Sequence, residues 1–160
     1  MALDTQASST ERFDADISQQ LSEFKALSTD DKLGLLWVLY ENMGESITPA
    51  APGAAEPQFT QRLLDEVIAM EEGDQLTFMR DLVEQKQTEE TKTYGAFSEN
   101  NKLLFWYQLS EGMDAGDIIP VPESYELPAG AAKLFSEMSS LEFNQQITLL
   151  RQAVLEMGAS

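Results

Sequence analysis

The sequence contains no cysteine and no histidine. That excludes a disulfide, a thiolate or imidazole nucleophile, a Cys/His zinc site and a His-ligated haem. Without cysteine, the redox compartment stays open. Basic residues are scarce. Lys and Arg total 10 against 28 Asp and Glu, a net charge of −18 over 160 residues. Nucleic acid and anionic lipid surfaces both demand clustered cations, so neither is an expected partner. No long apolar run is present, so no integral membrane segment is expected. The N-terminus lacks a basic region followed by an apolar stretch, and no signal peptide is read there. A cytoplasmic location is expected. What the chain does have is 42% hydrophobic residues, enough for a sizeable core in one domain or two half-size bundles.

Residues 1–12 are polar without a hydrophobic period and read as an N-terminal arm. From Phe13 the pattern is helical, with Asp14 as N-cap ahead of Ile17, Leu21 and Phe24. A second helix starts at Ser28 or Thr29 and runs through Leu33, Leu36, Trp37 and Tyr40 to Gly44. A connector at 46–57 carries Pro49, Pro52 and Pro57. Further helical patterns cover about 58–71, 73–86, 89–96 and 98–114. A second connector, Gly116 to Pro128, precedes two closing helices near 129–138 and 140–157. No stretch alternates at period two, so the expected class is all-α.

A duplication is visible. Shifted by 70, residues 27–44 overlie 97–114 with six identities in eighteen, among them Lys32/Lys102, Leu33/Leu103, Glu41/Glu111 and Met43/Met113. Shifted by 71, residues 70–84 overlie 141–155 with five in fifteen. The expectation is one helical domain over 13–160, built from related halves at about 13–90 and 97–158. Halves of that size should pack on each other, with a ligand site between them.

Nothing reads as an enzyme. The adjacent acid pairs Asp30-Asp31, Glu71-Glu72 and Glu89-Glu90 fall at helix starts, where they complement the dipole. Glu111 to Asp117 lacks calcium-loop spacing, and no Gly-x-Gly phosphate loop occurs. The aromatics say more. Trp37 and Tyr40 share a face, Phe105-Trp106-Tyr107 run together, and the 70-residue shift lays Trp37 on Tyr107. Met43, Met70, Met79 and Met113 add polarizable surface. Tyr125 follows the stiff Pro120-Val121-Pro122. These residues suit ordinary core packing or a long, apolar, polarizable ligand. Arg151 is one of two basic residues after Lys102, and its alternatives are an internal ion pair or a partner contact.

The chain resembles the N-terminal carotenoid-binding domain of the orange carotenoid protein family, in the form of the free-standing helical carotenoid proteins. The matching stretches are Leu35-Leu36-Trp37, Tyr40 to Gly44, Ala50 to Ala55, Asn101-Lys102-Leu103, Phe105-Trp106-Tyr107, Pro120-Val121-Pro122 to Tyr125, Gln145 to Thr148, and Leu150-Arg151. They span nearly the whole chain from about residue 20.

The resemblance implies two interlocked four-helix bundles with a keto-carotenoid between them: canthaxanthin, echinenone or 3′-hydroxyechinenone. It places Trp37, Tyr40, Trp106 and Tyr107 against the carotenoid. Leu33, Leu36, Gly53, Met79, Leu103, Met113, Val121, Tyr125, Ile147 and Thr148 match further channel positions. Arg151 matches an arginine that contacts the family's C-terminal domain and the phycobilisome. The implied role is photoprotection by singlet-oxygen quenching or carotenoid carriage, near thylakoid membranes, in a monomer or weak dimer. A carotenoid carrier resembling the family's C-terminal domain is a further candidate partner, and the source of the pigment stays open. No C-terminal domain is matched, so no photoswitch of its own is expected. The alternative is a phycobilisome-binding quencher. Against it, Gln108 and Glu45 stand where an arginine and a lysine are expected, and the net charge opposes an acidic antenna.

Overall fold

The computed structural model describes residues 17–43, 57–122 and 125–159. Eight helices form, and no strand occurs among the described residues. They are α1 (helical over 17–25), α2 (Thr29–Met43), α3 (Pro57–Ile68), α4 (Glu72–Glu84), α5 (Glu89–Gly95), α6 (Glu99–Ala115), α7 (Ala129–Ser139) and α8 (Phe143–Leu155). No described helix is long and apolar enough to cross a membrane. The expected arm, the Asp14 cap and most of the first connector lie outside the described residues.

Local chemistry sets the helix starts. The Ser28 hydroxyl accepts from the Asp31 amide, with Asp30 and Asp31 in the first turn of α2. Thr88 and Thr91 cap each other at α5, and the Ser98 hydroxyl accepts from the Asn101 amide at α6. Gly116, at φ +88°, ends α6 in the left-handed region that glycine tolerates. The last helix starts at Phe143, three residues later than its apolar spacing suggests. The Gln146 amide donates to Ser139 O and Leu141 O, holding that stretch as a turn.

The helices interlock. α2 packs on α4 and α7, while α6 packs on α8 and α3, and α2 meets α6. Leu35, Leu39, Leu82, Phe105, Leu109, Leu149 and Val154 are wholly buried at these contacts. Each such side chain contributes roughly 1.5–3 kcal/mol by leaving water.

A buried polar chain stiffens the α5–α6–α8 junction. Trp106 Nε1 donates to Tyr94 Oη at 2.9 Å, and Tyr94 Oη donates to Val154 O at 2.6 Å. Lys102 Nζ donates to Leu155 O at 2.7 Å and lies 5.5 Å from the Tyr94 ring centroid. Burial lowers the Lys102 pKa, with the Glu99 charge opposing. The chain end is pinned by Gly158 N–H to Leu82 O and Ala159 N–H to Thr91 O.

Candidate functional site

One face of α2 builds the site. Asp30, Leu33, Gly34, Trp37 and Tyr40 follow each other at helical spacing and, with Leu36, line a cavity of about 290 Å³. Leu76, Met79 and Arg80 of α4 form a second wall, and Trp106, Ser110 and Met113 of α6 a third. Ile119, Pro120, Val121, Pro122 and Tyr125 close it. The lining is almost entirely apolar and aromatic. Its volume lies near the lower end of the ~300–1,000 Å³ common for ligand pockets. The charged exceptions are Arg80 and Asp30, which pair with each other: the guanidinium donates to both Asp30 oxygens at 2.9 and 3.1 Å.

A second recess, of about 440 Å³, is lined by Tyr40, Glu41, Tyr107, Ser110, Glu111, Asp114 and Ala115. Tyr40 and Ser110 line both spaces, so they form the partition between them. These two residues overlie each other at the 70-residue shift, as do Glu41 and Glu111. The Tyr40 hydroxyl donates to Leu103 O at 3.0 Å, and its ring sits 6.5 Å from that of Tyr107. Burial pushes the Tyr40 phenol far up, which keeps it neutral and a donor.

Of the residues expected at the site, Leu33, Leu36, Trp37, Tyr40, Met79, Trp106, Met113, Val121 and Tyr125 line the first cavity. Tyr107 lines the second. Leu103 lines neither and acts through its carbonyl on Tyr40. Ile147 and Thr148 sit half-buried on α8 and are not among the residues lining these two spaces; α8 packs against α6, and Thr148 Oγ1 donates to Asn144 O. Arg151 is half-buried on α8, and its Nε is buried without a hydrogen-bond partner. Gly53 lies outside the described residues. The residues missed are Asp30, Gly34, Leu76, Arg80, Ser110, Ile119, Pro120 and Pro122.

Two orphan donors mark the first cavity. Trp37 Nε1 and Tyr125 Oη are buried without a hydrogen-bond partner, whereas Trp106 Nε1 is satisfied by Tyr94. The Tyr125 phenol is raised by burial and by Asp31 and Asp30, so it also stays neutral. Among the described residues, no three acidic side chains cluster as a metal-ion site.

In the second recess, Glu41 hydrogen-bonds to Asp114 across α2 and α6. This bond, burial and the Asp114 charge raise the Glu41 pKa, in that order. A raised carboxyl binds its proton more tightly in the folded state. Its contribution to stability is therefore full below the ordinary carboxylate range and is lost as pH rises through the folded value. Glu41→Gln keeps the hydrogen bond without the titration. Its melting temperature should fall less between about pH 5 and pH 7 than that of the wild type.

An all-helical chain enclosing an aromatic-lined apolar cavity has the architecture of a binding protein for an apolar ligand. The family model described as orange carotenoid protein, N-terminal, matches residues 10–160, and the chain belongs to that family. An orange carotenoid-binding domain-containing protein of Nostoc sp. is 43% identical over 142 residues, covering 89% of this chain and 83% of that protein. The orange carotenoid-binding protein of Synechocystis sp. is 41% identical over 138 residues, covering 86% of this chain but 44% of that longer protein. Among solved structures, the Red Carotenoid Protein of Anabaena (Nostoc) sp. binding canthaxanthin superposes with a TM-score of 0.82. The two are 34% identical over 90% of this chain and 99% of that one. The Orange Carotenoid Protein of the same organism, also binding canthaxanthin, gives 0.81 at 38% identity, over 90% of this chain and 47% of that one.

Proposed function

We propose that the chain holds a keto-carotenoid between its helices and serves in photoprotection, as a quencher of singlet oxygen or a carrier of the pigment. The observation that carries this reading is the first cavity, in which two tryptophans, two tyrosines and two methionines surround apolar space. Flat, polarizable rings and soft thioethers favour a conjugated polyene through dispersion and stacking. The structural relatives that bind canthaxanthin support the pigment class. The residues present fit such a group, because the lining is apolar and its orphan donors, Trp37 Nε1 and Tyr125 Oη, can meet a ring oxygen.

Bound pigment would supply the photophysics, by accepting energy into the polyene. The chain supplies the rest. Trp37, Tyr40 and Trp106 grip the ligand, Met79 and Met113 fill around it, and Pro120 to Pro122 exclude water. A ligand longer than the first cavity passes the Tyr40–Ser110 partition into the recess beside Tyr107. The binding domain is taken as 13–160, with halves at about 13–90 and 97–158. A net charge of −18 opposes docking on an acidic antenna, which places pigment binding ahead of phycobilisome quenching through Arg151. Apoprotein mixed with canthaxanthin-loaded liposomes should extract the pigment into the soluble fraction. A colourless soluble fraction would contradict the proposal.

A further inference from the structure

Gly34 is buried in the middle of α2, where glycine is disfavoured and alanine is the usual choice. Its place is explained by one neighbour. A Cβ at position 34 would collide with the Tyr125 hydroxyl and would lie 2.6 Å from both Cε1 and Cζ of that ring. The phenol therefore rests against the bare helix backbone, one turn before Trp37, on the face that lines the cavity.

The chain leading to Tyr125 is anchored at its other end. Gln75, itself buried, donates through Nε2 to Val67 O and to Asp117 O, each at 3.0 Å, and accepts from the Ile119 amide at 2.8 Å. Beside it, the Ile118 side chain fills the space that a Cβ at Gly112 would need. The cavity wall of Ile119 to Pro122 is thus fixed by hydrogen bonds at its start. Tyr125 differs, because its hydroxyl has no hydrogen-bond partner. The Tyr125 amide donates to Pro122 O at 2.9 Å, and the ring itself is received by the space over Gly34.

We propose that Gly34 is a positioning residue for the bound pigment: its missing side chain seats Tyr125 against α2 and so sets how tightly that end of the cavity closes on the ligand. The inference rests on the carotenoid-binding reading. A methyl group at 34 displaces the ring, because the neighbour it meets is a rigid aromatic rather than the far end of a flexible side chain. A smaller side chain at 125 removes the conflict, so the two positions are coupled.

Four proteins loaded with canthaxanthin test this: wild type, Gly34→Ala, Tyr125→Leu and the double variant. The readouts are the pigment absorption band and the rate of pigment transfer to empty liposomes. Gly34→Ala should shift the band and speed transfer by about tenfold, whereas in the Tyr125→Leu background the same change should alter transfer by less than about twofold. No effect in the wild-type background, or an equal effect in both, would overturn the proposal. If Gly34→Ala fails to fold by circular dichroism, the double variant must fold, and its failure would equally overturn it. Should the wild type take up no pigment, the binding reading fails by itself. The seat is then judged on the apoproteins: Gly34→Ala should melt lower than wild type, and the double variant no lower than Tyr125→Leu.

Discussion

Trp106→Ala should abolish pigment binding while leaving a folded apoprotein. Trp106 is 3% exposed, lines the first cavity and has its indole fixed by Tyr94. Truncating a large buried aromatic costs about 3–5 kcal/mol, and domains of this size start from roughly 5–15 kcal/mol. The same cost therefore has to be separated from a specific loss of grip on the ligand. The neighbouring Phe105 provides the control. It is completely buried but lines neither cavity, and its ring packs on Phe78, Tyr94 and Phe97. Phe105→Ala should destabilise by a similar amount while the folded fraction still takes up pigment. Trp106→Ala should lose at least about tenfold in pigment affinity, the effect of about 1.4 kcal/mol of lost contact. Equal pigment per folded molecule in the two variants, read by absorption after gel filtration, would show that Trp106 serves packing alone.

The second large effect is on stability and lies at the chain end. A Cβ on Gly95 would collide with the Ala159 carbonyl oxygen and sit 2.9 Å from its carbon, and backbone cannot swing aside as a side chain can. Gly158 is equally constrained, with φ +83° and the Tyr94 ring Cδ1 2.5 Å from where a Cβ would stand. Gly95→Ala should therefore expel residues 157–159, break the hydrogen bonds that the Gly158 and Ala159 amides donate to Leu82 O and Thr91 O, and expose Met157. The expected cost is about 3 kcal/mol, or roughly 6–12 °C in melting temperature. Gly130→Ala is the contrasting case. Nothing lies within 4 Å of a Cβ there, in the first turn of α7, so the same substitution should be neutral or raise stability by up to about 1 kcal/mol. Thermal melts of the two variants decide between these outcomes.

These cases show why some features were legible in the sequence and others were not. Helix starts are local. Ser28, Thr88 and Ser98 cap the segments they precede, and the apolar period of α2 points its stripe at the cavity. The aromatic cluster could be read because Trp37, Tyr40, Trp106 and Tyr107 are large, rare and placed at helical spacing. The α8 start differs from the apolar period because a local turn tied by the Gln146 side chain and the Glu142–Gln145 capping box set it. Gly34 and Gln75 depend instead on distant parts of the chain. A missing Cβ acquires meaning only when Tyr125, 91 positions away in the chain, arrives over it, and a polar residue in α4 gains its role only when Asp117 and Ile119 meet it. Ile147 and Thr148 rest on the resemblance, and their helix packs on α6, which carries the Trp106, Ser110 and Met113 wall of the cavity.

The central claim is that the aromatic cavity is a carotenoid site. It is tested most directly by the visible absorption spectrum of the protein purified from cells that make canthaxanthin, with chromatography of the extracted pigment. The account predicts an orange-to-red protein carrying one keto-carotenoid per chain, its absorption band distinct from that of the free pigment and lost in Trp106→Ala. A folded, colourless protein from pigment-rich cells would contradict it.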